Sequence, residues 1–362
     1  MEIRCSSLAR PMACAGFLSF ENLPEQETNA AAEEGTAAGE LLERMLLGKD
    51  LPAQARNGVY FNDEMRFHLK PIVEEINANK SSDVLCEQRI DWQSRSGVLI
   101  RGSYDISFIR NGHLYVDDLK YGWGIVEVRD NWQLLGYAIG ECIRRQTHFD
   151  KIVLRIHQPR PHHEDGSTRE WVLTYDELLA YKEKIDSRLE QIVAGYNQLD
   201  TGKQCKYCAA SAEACPAFNR LFYRSIEVST EFVQDQINET ELSRQLDQIA
   251  RASEVLKIKS DSLTQLAVSR IKSGKIIPGY ITESRYGDRK WKADISPEVV
   301  KALTGKDITK TEMMSPAQAE KMGVPKEFVN SLVDRHFVGQ KIVKKNATDI
   351  GNKIFGKEAP VK

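Results

Sequence analysis

The chain has 362 residues, 41% of them hydrophobic, and its 50 basic and 52 acidic side chains leave a formal net charge of −2. That suffices for one large core or two smaller ones, and a charge so near zero argues neither for nor against a polyanionic partner. No apolar run approaches the ~20 residues of a membrane span, and MEIRCSSLAR at the start lacks a signal peptide's apolar segment, so the expectation is a cytoplasmic protein with no membrane partner.

Residues 1–20 read as a short helical or irregular lead-in interrupted by Pro11. The spacing of Ala37, Leu41, Leu42, Met45 and Leu46 predicts a helix over 30–47, with Glu33 and Glu34 near its start and Gly48 as its stop. A second helix is expected over 62–79, then a strand over 84–92. Residues 98–120, GVLIRGSYDISFIRNGHLYVDDLK from Gly97, alternate on both sides of Asn111-Gly112, the strongest short signal for a β-hairpin. A helix over 130–145, a strand from Ile152 ended by Pro159 and Pro161, and a helix over 174–197 complete the expected core. Beyond it, a charge-rich helical pattern over 239–273 precedes the breakers Gly274, Pro278 and Gly279. There is no internal repeat.

The hairpin carries the chemistry. A two-residue turn at Asn111-Gly112 pairs Arg110 with His113, and counting outward sets Asp105 opposite Asp118. Opposed Cβ atoms lie roughly 4.5–5.5 Å apart, where like charges repel unless a cation intervenes. Two carboxylates of this kind hold a hard divalent ion while leaving positions for a phosphate and a water. Lys120 returns to the same face two residues later, placed to stabilise developing charge. The plain alternative is a solvated sheet face, with Asp117 on the other side as a structural group. Gln133 and Tyr137 share one helix face and could contact phosphate or position Lys120; Tyr137 equally fits the core.

Seven cysteines in a reducing compartment do not read as a disulfide framework. Cys205, Cys208 and Cys215 cluster, with Cys14 or Cys5 as a distant fourth ligand. One Cys-x2-Cys pair plus two separate cysteines fits an iron–sulfur cluster somewhat better than zinc, and either would tie the N-terminal segment to the end of the core. Cys86 and Cys142 lie on apolar segments where packing explains them. Near the C-terminus Arg285, Tyr286, Arg289, Lys290, Trp291 and Lys292 interleave bases with aromatics, a pattern that fits phosphate contact and base stacking or a solvated loop alike.

Together MACAGF, EEGTAAGELLE, GSYD, VDDLKYGWG, NWQLLGYAIG and CKYCAASAEAC resemble the PD-(D/E)XK nuclease superfamily. The resemblance is strongest to its RecB-like, AddB-like iron–sulfur branch, and within that to a phage and prophage family in which a segment similar to GKIIPGYITESRYGDRKW follows the core. It implies an α/β, restriction-endonuclease-like fold, a mixed central sheet flanked by helices with a helical arm and a small C-terminal region. The implied domains are a nuclease core over 1–225, an arm or linker over 226–275 and a basic region over 276–362. The implied reaction is Mg²⁺- or Mn²⁺-dependent hydrolysis of DNA, with Asp105, Asp118 and the Leu119 carbonyl as metal ligands and Lys120 as the catalytic lysine. Cys14, Cys205, Cys208 and Cys215 would hold a [4Fe–4S] cluster, with Zn²⁺ as the alternative. The family's GTxxH histidine is replaced here by Gly39; Glu43, one turn on, is the expected substitute ligand, and Glu40 a less well-directed one. Two functions follow: a phage-type recombination nuclease, expected to be an exonuclease and to work beside a single-strand annealing protein or helicase, or a weakened nuclease fold serving as a DNA-binding or protein-interaction module.

Overall fold

The computed structural model describes residues 1–20, 30–80, 84–230 and 238–281, so the basic and aromatic cluster at 285–292 lies outside the described residues. In chain order the elements are β1 (Glu2–Arg4), α1 (Ala9–Ala13), α2 (Ala30–Leu46), α3 (Asp63–Asn79), β2 (Leu85–Gln93), β3 (Leu99–Arg110), β4 (His113–Leu119) and α4 (Trp132–Arg145). They continue with β5 (Lys151–His157), β6 (Thr168–Thr174), α5 (Tyr175–Val193), α6 (Pro216–Thr230) and α7 (Glu239–Lys272), with short 3-10 turns between. The expected mixed sheet flanked by helices is present. No helix among the described residues is long and apolar enough to cross a membrane.

Local chemistry sets the boundaries. Asn111 and Gly112 both take positive φ, 51° and 76°, as a primed two-residue hairpin turn requires. Met65 N–H donates to Asn62 Oδ1 at 2.8 Å to open α3, and the Gln133 and Leu134 amides share Asn131 Oδ1 to open α4. Thr174 and Glu177 form a reciprocal capping box that starts α5. Two strands were not expected. The lead-in contains β1, paired parallel to β3, and Thr168–Thr174 pairs antiparallel to β5. β1, at three residues, acquires its identity only from its partner.

β3 is the hub of the sheet. β2 occupies one of its edges from Leu99 to Ser107, while the other edge is divided between β1 along Leu99–Arg101 and β4 along Ile106–Arg110. β5 then joins β4 in parallel through the crossover helix α4, and β6 joins β5. The regular alternation expected along β3 breaks at Asp105. Ile100 and Tyr104 pack into the core shared with α4 and α5, whereas Ile106 and Phe108 pack into the second core with α2 and α3. β2 changes sides at the same level, with Ile90 and Trp92 in the first core and Cys86 against the second. There Glu87 takes φ 50°, opposite Asp105 by register, between the Cys86–Ile106 and Gln88–Tyr104 pairs.

A third, smaller core joins the cysteine segment to α6 and α7. Buried Lys259 of α7 donates to the carbonyls of Ser211 (3.3 Å) and Ala212 (2.5 Å) and to Asn219 Oδ1 (2.6 Å). The long helix is therefore bolted to the cysteine region by satisfied polar contacts.

α4 is anchored by Glu141, which is fully buried. It accepts from Tyr104 Oη (2.9 Å), from Arg144 Nε (2.7 Å) and from Arg145 Nε (2.5 Å). Burial works to raise its carboxyl, but the arginine hydrogen bonds prevail and hold it below the usual range. Glu141→Gln should cost roughly 2 kcal/mol near neutral pH, less than the ~3–5 of a fully buried broken pair because both arginines reach solvent. With its folded value lowered, this stabilisation is complete above the unfolded value of about 4.3 and disappears as pH falls through the lowered one. Urea denaturation at pH 7 and pH 3 should therefore show the gap between wild type and variant closing in acid.

Candidate functional site

The β3–β4 ladder runs from Arg110–His113 to Ile106–Asp117, in the expected register, and stops one step short of Asp105 and Asp118. There the strands part. The Leu119 amide donates to Asp105 Oδ2 at 2.6 Å, and the Lys120 amide turns to the His157 carbonyl of β5 at 2.9 Å. Asp118 is only 2% exposed, and Lys120 Nζ stands 2.6 Å from its Oδ2. Gln133 ties the group together from α4. Its Oε1 accepts from Lys120 Nζ at 3.2 Å, and its Nε2 donates to Asp118 Oδ1 at 3.2 Å and to the Tyr137 hydroxyl at 2.8 Å.

Asp105, Asp118, Lys120, Gln133 and Tyr137 are thus brought together. Tyr137 serves both readings, since its ring is buried edge-on to Tyr104 while its hydroxyl meets Gln133. Gly102 permits this, because a Cβ there would fall 2.6 Å from Tyr137 Cε1. Asp117 faces the other way as expected, accepting from Arg155 Nε (2.9 Å) and Nη2 (2.6 Å) and meeting His157 Nε2 at 3.0 Å.

The electrostatics match the geometry. Burial and then the Asp118 charge push the Asp105 carboxyl well above the usual range. Burial disfavours the Lys120 ammonium, but Asp118 and Asp105 outweigh it and raise its value, so Lys120 stays charged. Burial and the Asp118 charge also raise the Tyr137 hydroxyl, which stays neutral. Asp118 Oδ2 is buried and receives no directed hydrogen bond, the Lys120 contact being an ion pair. Two neighbouring carboxylates, one of them buried and ion-paired with Lys120, suit a hard divalent cation. As placed, no three His, Cys, Asp or Glu side chains among the described residues are grouped closely enough to hold a metal ion.

Of the proposed substitutes for the missing histidine, Glu40 is taken by the Arg56 amide (2.8 Å) and Arg44 Nε (2.9 Å). Glu43 is paired with Lys49 at 2.7 Å and Arg56 at 3.4 Å. A third acid, not singled out from the sequence, is better directed. Glu87 stands opposite Asp105 across β2–β3, and its Oε1 lies 4.0 Å from where a Cβ on Gly39 would be. Burial, Glu43 and Asp118 all raise its carboxyl, while Arg56 opposes them. Only the β2–β3 register could have revealed it.

The cysteines Cys14, Cys205, Cys208 and Cys215 are all free. Cys205, Cys208 and Cys215 share the third core, and burial raises the Cys205 and Cys208 thiols, with repulsion among the four, Cys14 included, adding to it. Cys5 belongs elsewhere, fully buried beneath Gly102 and Gly136 in the first core.

The family model described as "Protein of unknown function (DUF2800)" matches residues 3–346. The chain belongs to the DUF2800 family. Two solved structures are similar to this DUF2800 chain. One is a candidate exonuclease from Eubacterium rectale, 12% identical, with TM-score 0.34, over 67% of this chain and 92% of that one. The other is an alkaline exonuclease from Laribacter hongkongensis, 14% identical, with TM-score 0.26, over 53% and 88% respectively.

The Asp105–Asp118 opposition should be measurable in the metal-free protein. Asp105→Asn keeps an acceptor for Leu119 N–H yet removes the repulsion, so in chelator at pH 7.5 it should raise stability by roughly 1 kcal/mol. Because the folded Asp105 value is raised, wild-type stability declines as pH climbs from about 3.9 through that value. Thermal melts across pH 4–8 should show the variant's advantage growing with pH; a constant difference would contradict the coupling.

Proposed function

We propose that this DUF2800 chain is a metal-dependent deoxyribonuclease of the PD-(D/E)XK type, an exonuclease of phage-type recombination or DNA processing acting in the cytoplasm. The observation that carries the reading is the Asp105, Asp118 and Lys120 group locked by Gln133 at the point where β3 and β4 separate. Asp105, Asp118 and the Leu119 carbonyl would hold Mg²⁺ or Mn²⁺, with Glu87 or Glu43 completing the set. The ion, when bound, would make water nucleophilic near neutral pH and neutralise phosphate charge.

The chain's own residues supply the rest. Lys120, kept protonated by the two acids, donates to a phosphate oxygen as charge grows on it, while water adds to phosphorus, losing its proton to solvent, and the opposite P–O bond breaks, the leaving oxygen taking a proton from solvent. Gln133 fixes the Lys120 ammonium and the Asp118 carboxylate relative to each other, and Tyr137 fixes Gln133. Cys14, Cys205, Cys208 and Cys215 would carry a [4Fe–4S] cluster, or Zn²⁺, as a staple between the N-terminal segment and the end of the core. A single-strand annealing protein or helicase is the partner such a nuclease would serve. The absence of a histidine at Gly39 favours a second reading, a weakened nuclease fold that binds DNA or protein without turnover.

Anaerobically purified protein should degrade linear DNA with Mn²⁺ or Mg²⁺, and Lys120→Ala should abolish turnover while the variant stays folded by circular dichroism, though less stable for losing the cation beside Asp118. If wild type cleaves no linear, circular, single-stranded or flapped DNA, the nuclease reading fails and salt-sensitive binding alone supports the second. Glu87→Gln should weaken Mn²⁺ binding, followed by calorimetry, by at least the roughly tenfold that even an outer-shell partner costs; an equal loss in Glu43→Gln alone would reassign the ligand. Elemental analysis decides the staple: iron with sulfide and a brown colour is the expected result, and colourless protein with zinc rejects the cluster.

A further inference from the structure

Directly after Lys120 the chain makes a short loop, Tyr121-Gly122-Trp123-Gly124. Trp123 at its tip is 68% exposed. The loop is fastened from within. Fully buried Gln158 donates through Nε2 to the carbonyls of Gly122 (3.2 Å) and Gly124 (2.7 Å), and its Oε1 accepts from the Val126 amide (3.1 Å) and Arg169 Nη2 (2.8 Å).

The inner face of Trp123 is also built. The Arg160 guanidinium lies 5.6 Å from its ring centroid and 4.0 Å from that of Tyr121. Glu34 grips Arg160 through two 2.7 Å hydrogen bonds, and Glu64 stands 3.4 Å from its Nε. Tyr121 is buried, with its hydroxyl 3.1 Å from His68 Nδ1. Tyr121, Arg160 and Trp123 thus form one cation–π group, with Tyr121 buried at one end and Trp123 largely exposed at the other. A buried amide, two acids and a cation position one largely exposed aromatic ring.

Three residues span at most about 10 Å of backbone, so Trp123 lies within a few nucleotides of a phosphate held at Lys120. Every nucleobase has a π-face to offer, but in a duplex those faces are occupied by their neighbours. We propose that Trp123 is the stacking platform for an unpaired base of the DNA strand whose phosphate lies at Lys120. The inference rests on the nuclease reading and adds that the strand enters single or with a frayed end.

The test uses the full chain with Lys120→Ala to suppress cleavage, and a labelled oligothymidylate, an abasic strand of equal length and a duplex capped at both ends. By fluorescence anisotropy, Trp123→Ala should bind oligothymidylate about 5- to 150-fold more weakly, the range for losing one stacked base. Trp123→Phe should retain most of the affinity. The capped duplex should be held equally by all three proteins, and the parent should bind the abasic strand no better than Trp123→Ala binds oligothymidylate. Unchanged oligothymidylate affinity in Trp123→Ala, an equal loss on the capped duplex, or full affinity of the parent for the abasic strand would each overturn the proposal. If Trp123→Ala melts early, the comparison of oligothymidylate with the abasic strand on the parent still decides it. Failure of the nuclease reading shows separately, as absent cleavage by the unmutated chain.

Discussion

The constraint on which the site depends is the repulsion between Asp105 and Asp118, two acids brought together where β3 and β4 separate. Each neighbouring feature answers it. The Leu119 amide leaves the ladder to donate to one carboxylate, the Lys120 ammonium lies against the other, and Gln133 joins that ammonium to Asp118. Such an arrangement is costly without a cation and favourable around one.

The cost is carried by the layers on either side. The sheet buries one face under α4 and α5 and the other under α2 and α3, and β2 and β3 change allegiance together at the level of Glu87 and Asp105. Acids can sit at that crossing because neither core claims it. α4 links the two requirements: its first turns present Gln133 and Tyr137 to the acids, and Glu141 further along locks the same helix to β3 through Tyr104. A rigid helix thus sets the position of the amide that organises the charges.

Much of this was legible in residues alone. The period of two and the Asn-Gly turn determine the hairpin register, and that register is what places Asp118 opposite Asp105. The change of sides at Asp105 was hidden, because Ile100, Tyr104, Ile106 and Phe108 look like one continuous apolar face until two separate cores divide them. Glu87 was hidden for a related reason: the Ser94–Gly97 turn marks the reversal between β2 and β3, but nothing in the residues marks the positive φ at Glu87 that sets it opposite Asp105. Gly39 pointed to a gap in the helix, but what faces that gap comes from a strand far along the chain. β1 is too short to announce itself, and β6, as long as β4 and β5, was not expected as a strand although its inward residues alternate.

β1 has a bearing on how the molecule is made. The second to fourth residues pair with Leu99–Arg101, and Cys14 sits beside cysteines that follow almost two hundred residues later. Contacts that close loops of roughly one and two hundred residues are slow to form, so β1 docks after β2, β3 and β4 have paired with their near neighbours. The Lys120 amide likewise waits for the His157 carbonyl of β5, so a chain cut before β5 would carry the motif without the geometry.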